Sequence, residues 1–452
     1  MRRRWTGCAA LALALATAPP AAGRSLEEIL RDKGILDEGE VEELETGRAE
    51  REPSAATPSP IPDWVSRITP FGDVRVRNET FLRSGDRDRV RQRFRLRLGA
   101  RAKLDDEAEL GFRLATGTDG ELTSTNQTFT DAFTFKSVNL SAAYLALSPA
   151  KSLGWSRPYL KLLGGKYDVP LYGPPTPTGL VFDRDLTPEG FFESLKLVER
   201  DLGLLRAAGV NLGQWVFQES SRTGDGALFA FQASASLAPA PGVAWNVGAG
   251  DLLFQKESTI AAARNSNASL NVTNDVRLSD GTVAGGRPVD PSRAGPAGDG
   301  LDAAGNPIRI LGYVSDFNVV NAGTDALIDT GRPAWPVRLF GDWALNTEAA
   351  GGEDSGYEVG AALGRSKERN DVAVAYAWEH LETNAVISAF SESDFGRDGG
   401  TNTEGHVLQV SYVFLEGVTL LSTAYITEPI DHVSGRSTTT DYRWQLDLVG
   451  RF

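Results

Sequence analysis

The chain has 452 residues, 46 Lys+Arg against 60 Asp+Glu, a formal charge of −14 and a mean hydropathy of −0.24. That acidity disfavours bulk nucleic-acid binding. One cysteine (Cys8) and three histidines (His380, His406, His432) leave little for disulfides, thiol nucleophiles, metal sites or cofactor chemistry, so no cofactor, metal or catalytic residue is expected.

Arg2, Arg3 and Arg4 precede an apolar run through Leu15, and Ala21, Ala22 and Gly23 supply small residues before Arg24. Residues 1–23 therefore read as a secretory signal peptide. Its removal takes Cys8 with it and brings the charge to about −17 (−14 − 3). Residues 24–47 read as a helical hairpin, with Ser25 and Glu28 forming one capping box, Asp37 and Glu40 a second, and Gly34 between them. Its few apolar residues cannot make a core alone, so the hairpin is expected to pack elsewhere or to reach the cell wall. Pro53, Pro58, Pro60 and Pro62 make 48–69 a semi-rigid linker.

From 70 to 452 the pattern is β throughout. No apolar stretch after the signal reaches the ~20 residues of a spanning helix. A membrane span must then be a closed barrel, because every backbone group has to be paired inside lipid. Sixteen alternating segments recur, from 71–83 to 441–452, with the tenth placed at 307–321, and the even number puts both barrel ends on one side of the membrane. The fold class is thus an all-β, antiparallel up-and-down transmembrane barrel carrying the amino-terminal hairpin. Connections such as Asp105–Glu107, Pro239–Pro241 and Leu415–Glu416 are short, whereas Thr118–Phe133, Val169–Glu189, Lys256–Asn306 and Thr383–Thr403 are long. Pro149–Arg157 and Ala322–Pro333 are longer than the alternation of short and long favours. Lys256–Asn306, rich in Gly, Asn, Asp and Ser, reads as exposed and mobile.

The sharpest chemical signal is Val90–Leu104. Phe94, Leu96 and Leu98 share one face, while Arg91, Arg93, Arg95, Arg97, Arg101 and Lys103 share the other. Cations at the bilayer midplane cost ~2–4 kcal/mol each, so the basic file is expected to face the lumen. Arg75, Arg77 and Arg113 on the flanking strands extend it. Guanidinium forks in series offer successive weak sites to a permeating anion, unless carboxylates from an inward loop neutralise them. The candidate source is Val169–Glu189, stiffened by prolines and carrying Asp183, Arg184, Asp185 and Glu189. In the last strand Tyr442, Trp444, Leu446, Leu448 and Phe452 form the lipid face and the expected insertion signal. Tryptophans near strand ends, Trp215, Trp245, Trp343 and Trp444 among them, suit interfacial girdles.

The segments Ser25–Glu45, Phe71–Glu79, Arg91–Leu104, Trp335–Asn346 and the terminal strand, in this order, resemble the family of outer-membrane porins that carry a short helical amino-terminal segment. The resemblance implies a bacterial outer-membrane channel for passive diffusion of small hydrophilic solutes or ions. It also implies a homotrimer, contact with outer-membrane lipid and lipopolysaccharide, and insertion by the barrel-assembly machinery. The file Arg91–Arg101 is also similar to that of phosphate-selective porins, although no lysine cluster accompanies it, and an anion preference is the corresponding expectation. A barrel hydrolase would need a histidine dyad at the rim, where His380 lies beside Glu379 and Glu382, and His432 beside Asp431. A cell-wall tether resting on the hairpin is the third class.

Overall fold

The structure is a computed structural model that describes residues 63–83, 87–221, 224–286, 302, 304–397, 399–431 and 440–452. The expected signal peptide, the helical hairpin, most of the linker and His432 lie outside the described residues.

Sixteen antiparallel strands close into a barrel. They are β1 (Ile68–Arg83), β2 (Arg89–Lys103), β3 (Ala108–Thr116), β4 (Val138–Leu147), β5 (Leu160–Lys166), β6 (Glu189–Leu202), β7 (Leu205–Gln218) and β8 (Gly226–Leu237). The second half comprises β9 (Val243–Gln255), β10 (Asn318–Ile328), β11 (Val337–Asn346), β12 (Ser355–Gly364), β13 (Val372–Leu381), β14 (Thr403–Leu415), β15 (Val418–Glu428) and β16 (Asp441–Arg451). Each pairs with its neighbours in sequence, and β1 closes on β16 through Asp73↔Arg451 to Arg83↔Asp441. Closure leaves no open edge, which a lipid environment requires.

The period-2 pattern sets which way each strand faces. In β1, Val74, Val76 and Leu82 are exposed on the outside, while Asp73, Arg77, Glu79 and Phe81 are buried within. In β16, Tyr442, Trp444 and Leu448 are exposed outward and Asp441, Arg443, Gln445 and Asp447 are buried. The ring of Phe452 lies over Gly72 at the β1–β16 seam, where Gly72 and Phe452 exchange backbone hydrogen bonds of 3.2 and 3.1 Å.

One end of the barrel carries the connections 104–107, 148–159, 203–204, 238–242, 329–336, 365–371 and 416–417, together with both ends of the strand array. The other end carries 117–137, 167–188, 256–317 and 382–402. Short turns mark the periplasmic side and long loops the external side.

Two expectations are corrected. The tenth strand is β10, Asn318–Ile328, rather than 307–321. Ile310–Tyr313 is extended, but it belongs to a small three-stranded sheet with Val276–Leu278 and Val283–Ala284 in the external loop. The shift shortens the tenth connection to 329–336. The described part of 256–317 is also folded: it has a short helix, Ser258–Ala263, and fully buries Val272, Val276, Tyr313 and Phe317. These few bulky residues pack against loops 167–188 and 382–402, through Leu180, Ile387 and Phe390, to make an apolar plug inside the external half of the barrel.

Candidate functional site

The inner surface of β1, β2 and β16 carries a dense array of charge. Antiparallel register sets Arg75 opposite Arg95 and Arg77 opposite Arg93, so guanidiniums face each other across the β1–β2 ladder. Like charges in such positions repel, and the array holds because carboxylates are interleaved with it. Asp73 accepts from Arg95 Nε at 2.9 Å and from Arg97 Nε at 2.6 Å. Asp447 accepts a bidentate pair from Arg77, with Nε at 2.7 Å and Nη2 at 2.8 Å. Glu79, fully buried, accepts from Arg91, from Arg443 Nη2 at 2.6 Å and from Gln445 Nε2 at 2.9 Å. Arg75 donates to Asn126 Oδ1 at 2.6 Å, and Arg93 to Ser124 Oγ at 3.2 Å, both from loop 117–137.

Loop 167–188 crosses the lumen to this wall. Asp185 lies 3.5 Å from Arg97 Nη1 and 4.0 Å from Arg95 Nη1, and it also accepts from the Thr125 amide at 3.2 Å. Burial opposes the Asp185 carboxylate, but Arg95, Arg97 and Arg75 overcome it and hold its pKa below the usual value. Asp183 faces away from the arginines. It accepts from Asp185 N at 2.8 Å and Ser393 N at 3.1 Å, and burial, with Glu392 and Asp185 beside it, pushes its pKa well up.

The sequence reading finds 382–402 as a long connection but gives it no role. Its Asp394 accepts from Arg77 Nη1 at 2.8 Å, from Gln445 Nε2 at 3.0 Å and from Arg443, whose Nη1 also donates to the Asp394 carbonyl at 2.8 Å. Burial works against the ionised form, yet Arg443 and Arg77 hold Asp394 far below the ordinary carboxylate range. The same loop bonds loop 167–188 through Asp183 N to Phe390 O at 2.7 Å, and loop 117–137 through Ser393 Oγ to Thr123 O at 3.1 Å. The loop carries no periodicity to flag it. The one available signal was Arg443, an inward cation on the last strand that needs a carboxylate from somewhere.

A second missed feature lies across the lumen. Asp325, Asp342, Glu358 and Glu379 put one inward carboxylate on each of β10 to β13, and Asp342↔Glu358 and Glu358↔Glu379 are direct cross-strand pairs. Loop 167–188 lies over them, with Thr178 Oγ1 donating to Glu379 at 2.5 Å and Tyr172 Oη to Asp325 at 2.8 Å. The loop therefore spans from an acidic wall to a basic one.

The remaining expected residues are dispersed. Arg113 forms a two-pronged pair with Asp168 (2.6 and 2.9 Å) at the base of loop 167–188. Arg101 and Lys103 are exposed at the periplasmic end, with Arg101 over the Phe71 ring at 4.9 Å. Arg184 donates to Thr178 O at 3.5 Å. Glu189 does not join Asp183 and Asp185: it opens β6 and pairs with Lys166 at 2.9 Å on the exposed rim. Trp215 faces inward, buried, and donates to Tyr167 Oη at 3.1 Å, whereas Trp245, Trp343 and Trp444 are exposed outward. His380 stacks on Tyr357 and sits 2.7 Å from Glu404 and 3.8 Å from Glu382. Among the described residues, no group of three or more His, Cys, Asp or Glu is arranged to hold a metal.

The sequence pattern of the family described as "Putative porin" matches residues 80–211 and 308–452. No curated protein matches the chain. Among solved structures, Pseudomonas putida OprB at high pH is similar with 11% identity and a TM-score of 0.53, over 86% of this chain and 96% of that one. Salmonella typhi OmpF in complex with daunomycin has 9% identity and a TM-score of 0.45, over 85% and 97%. The outer-membrane channel DcaP of Acinetobacter baumannii has 10% identity and a TM-score of 0.44, also over 85% and 97%. At such identity the OprB likeness speaks to the fold alone.

Proposed function

This chain belongs to the "Putative porin" family, and from that premise we propose a channel whose constriction is charge-compensated and polarised across the lumen. It is a bacterial outer-membrane channel for passive diffusion. The finer reading is that it passes small hydrophilic solutes with a weak preference for anions, in place of the strong anion selectivity that a bare arginine file would produce.

One observation carries this reading. Arg75, Arg77, Arg91, Arg93, Arg95, Arg97 and Arg443 are met by Asp73, Glu79, Asp447, Asp185 and Asp394, seven guanidiniums to five carboxylates. Paired charges still project a field, so a solute passing this wall is oriented as it crosses. Phosphate selectivity is the lesser reading, because guanidinium donors already committed to carboxylates are not free to fork onto a phosphate. The fold and family point to a channel rather than an enzyme.

The test is Asp185→Asn with Asp394→Asn in a planar bilayer across a potassium chloride gradient. The double variant is expected to shift the reversal potential clearly towards anion selectivity; an unchanged potential would remove these carboxylates from the selectivity-setting region. We also infer a homotrimer, which a monomeric mass in detergent would contradict.

A further inference from the structure

We propose that the external rim holds a binding site for a small neutral solute built on one aromatic or alicyclic ring with a hydrogen-bonding substituent. A cavity of about 330 Å³ lies where β6 and β7 part company. The β6–β7 ladder ends at Gly190↔Trp215, while β7 continues to Gln218 beside β8 only. Pro188, just before β6, has no N–H with which to extend that ladder. The gap opens a notch in the wall directly beside the plug.

The chemistry of the notch is unlike the polar lumen around it. Its floor is Trp215, Leu228, Ile260 and Phe390, all buried. Phe182 and Phe217 stand along it half-buried, and Phe217 meets Phe390 edge-on at 6.3 Å between centroids. An aromatic wall set edge-on favours a ring as occupant. Large apolar side chains left partly uncovered inside a wet mouth are the usual mark of a ligand pocket, and the volume falls at the small end of that class. The adjoining plug does not share the looseness, since Val272, Val276 and Tyr313 are wholly buried.

The open end specifies the rest of the ligand. Glu189, Gln218 and Leu122 are exposed there, so the cavity is reached from outside. Lys166 and Glu189 neutralise one another at 2.9 Å. A rim with a paired cation and anion plus an amide receives a hydroxyl or carboxamide better than a full charge, which would have to break the pair.

The site is tested in lipid nanodiscs by ¹⁹F NMR with 4-fluorobenzamide as the probe and fluoroacetamide, which has the amide without the ring, as control. Saturable broadening is expected for the ring compound alone. Phe217→Ser, which removes a wall, and Ala263→Trp, which fills the cavity from the half-buried end of the Ser258–Ala263 helix, are each expected to weaken it at least tenfold. Heat-dependent gel mobility confirms folding, and either variant alone suffices. Absence of saturable binding, equal binding of fluoroacetamide, or undiminished binding by the folded variants would overturn the proposal. Single-channel conductance measured in parallel separates this from the constriction reading: a conducting protein that fails to bind the ring refutes only the rim site.

Discussion

Replacing Asp394 with alanine asks whether loop 382–402 is latched to the barrel wall. In the native protein the Asp394 carboxylate bonds Arg77, Arg443 and Gln445, and the side chains of Arg77 and Arg443 are only 5% and 8% exposed. Removing the anion strands two buried guanidiniums, although each keeps a second partner, Asp447 for Arg77 and Glu79 for Arg443. Breaking one side of a buried pair costs ~3–5 kcal/mol, and the retained partners put this case at the lower end, about 3 kcal/mol. If that cost falls on loop docking, the undocked population rises roughly a hundredfold, at about 1.4 kcal/mol per factor of ten. The assay is protease cleavage within 382–402 on the folded barrel, with single-channel conductance recorded beside it. Faster cleavage with higher or noisier conductance is expected. Cleavage and conductance indistinguishable from the native protein would refute the latch.

Glu392 makes the same docking sensitive to pH. Burial and then Asp394 raise its pKa from 4.5 to about 7, so the docked loop prefers the protonated acid. The sign follows: docking is strongest below pH ~4.5, weakens as pH rises to about 7 by up to roughly 3 kcal/mol, and is flat above. Protease cleavage followed from pH 5 to 8 should rise in the native protein and rise less in Glu392→Gln, where Asp183 alone keeps part of the slope; a native profile without slope would contradict it. Gly72→Val would place a Cβ 2.5 Å from the Arg97 carbonyl and 2.7 Å from the Phe452 ring. Overpacking of that kind costs ~1–3 kcal/mol, so the temperature at which the folded gel band disappears should fall, and an unchanged temperature would mean that the seam can yield. By contrast Arg113→Gln loses a pair whose Asp168 is 60% exposed and should change the same temperature little, in keeping with less than ~1 kcal/mol.

The barrel was readable because lipid outside and charge inside force a strict alternation, and a strand such as Val90–Leu104 satisfies only one orientation. The same logic misplaced β10. Its inward residues Asn321, Gly323 and Asp325 alternate with small outward ones, Ala322, Thr324 and Ala326, so the segment resembled a turn. Ile310 and Tyr313 meanwhile looked like a strand because they form one elsewhere, inside the plug. Loop docking has no period to read. Asp394 reaches Arg77 across 317 residues of sequence, and nothing local to Ser391–Phe395 announces the contact. The acidic row was visible in principle as one inward carboxylate per strand over four strands. Recognising it required the β10 register that the sequence left ambiguous.

Charge compensation at the constriction is tested most directly by the reversal potential of the native channel in a planar bilayer across a tenfold potassium chloride gradient at pH 6. Ideal selectivity for one ion would give about 59 mV of one sign or the other. The paired wall predicts a small anion-selective value, less than about a third of that limit. A potential close to the anion limit would mean that the arginine file acts as if bare, and a clearly cation-selective one would contradict the account outright.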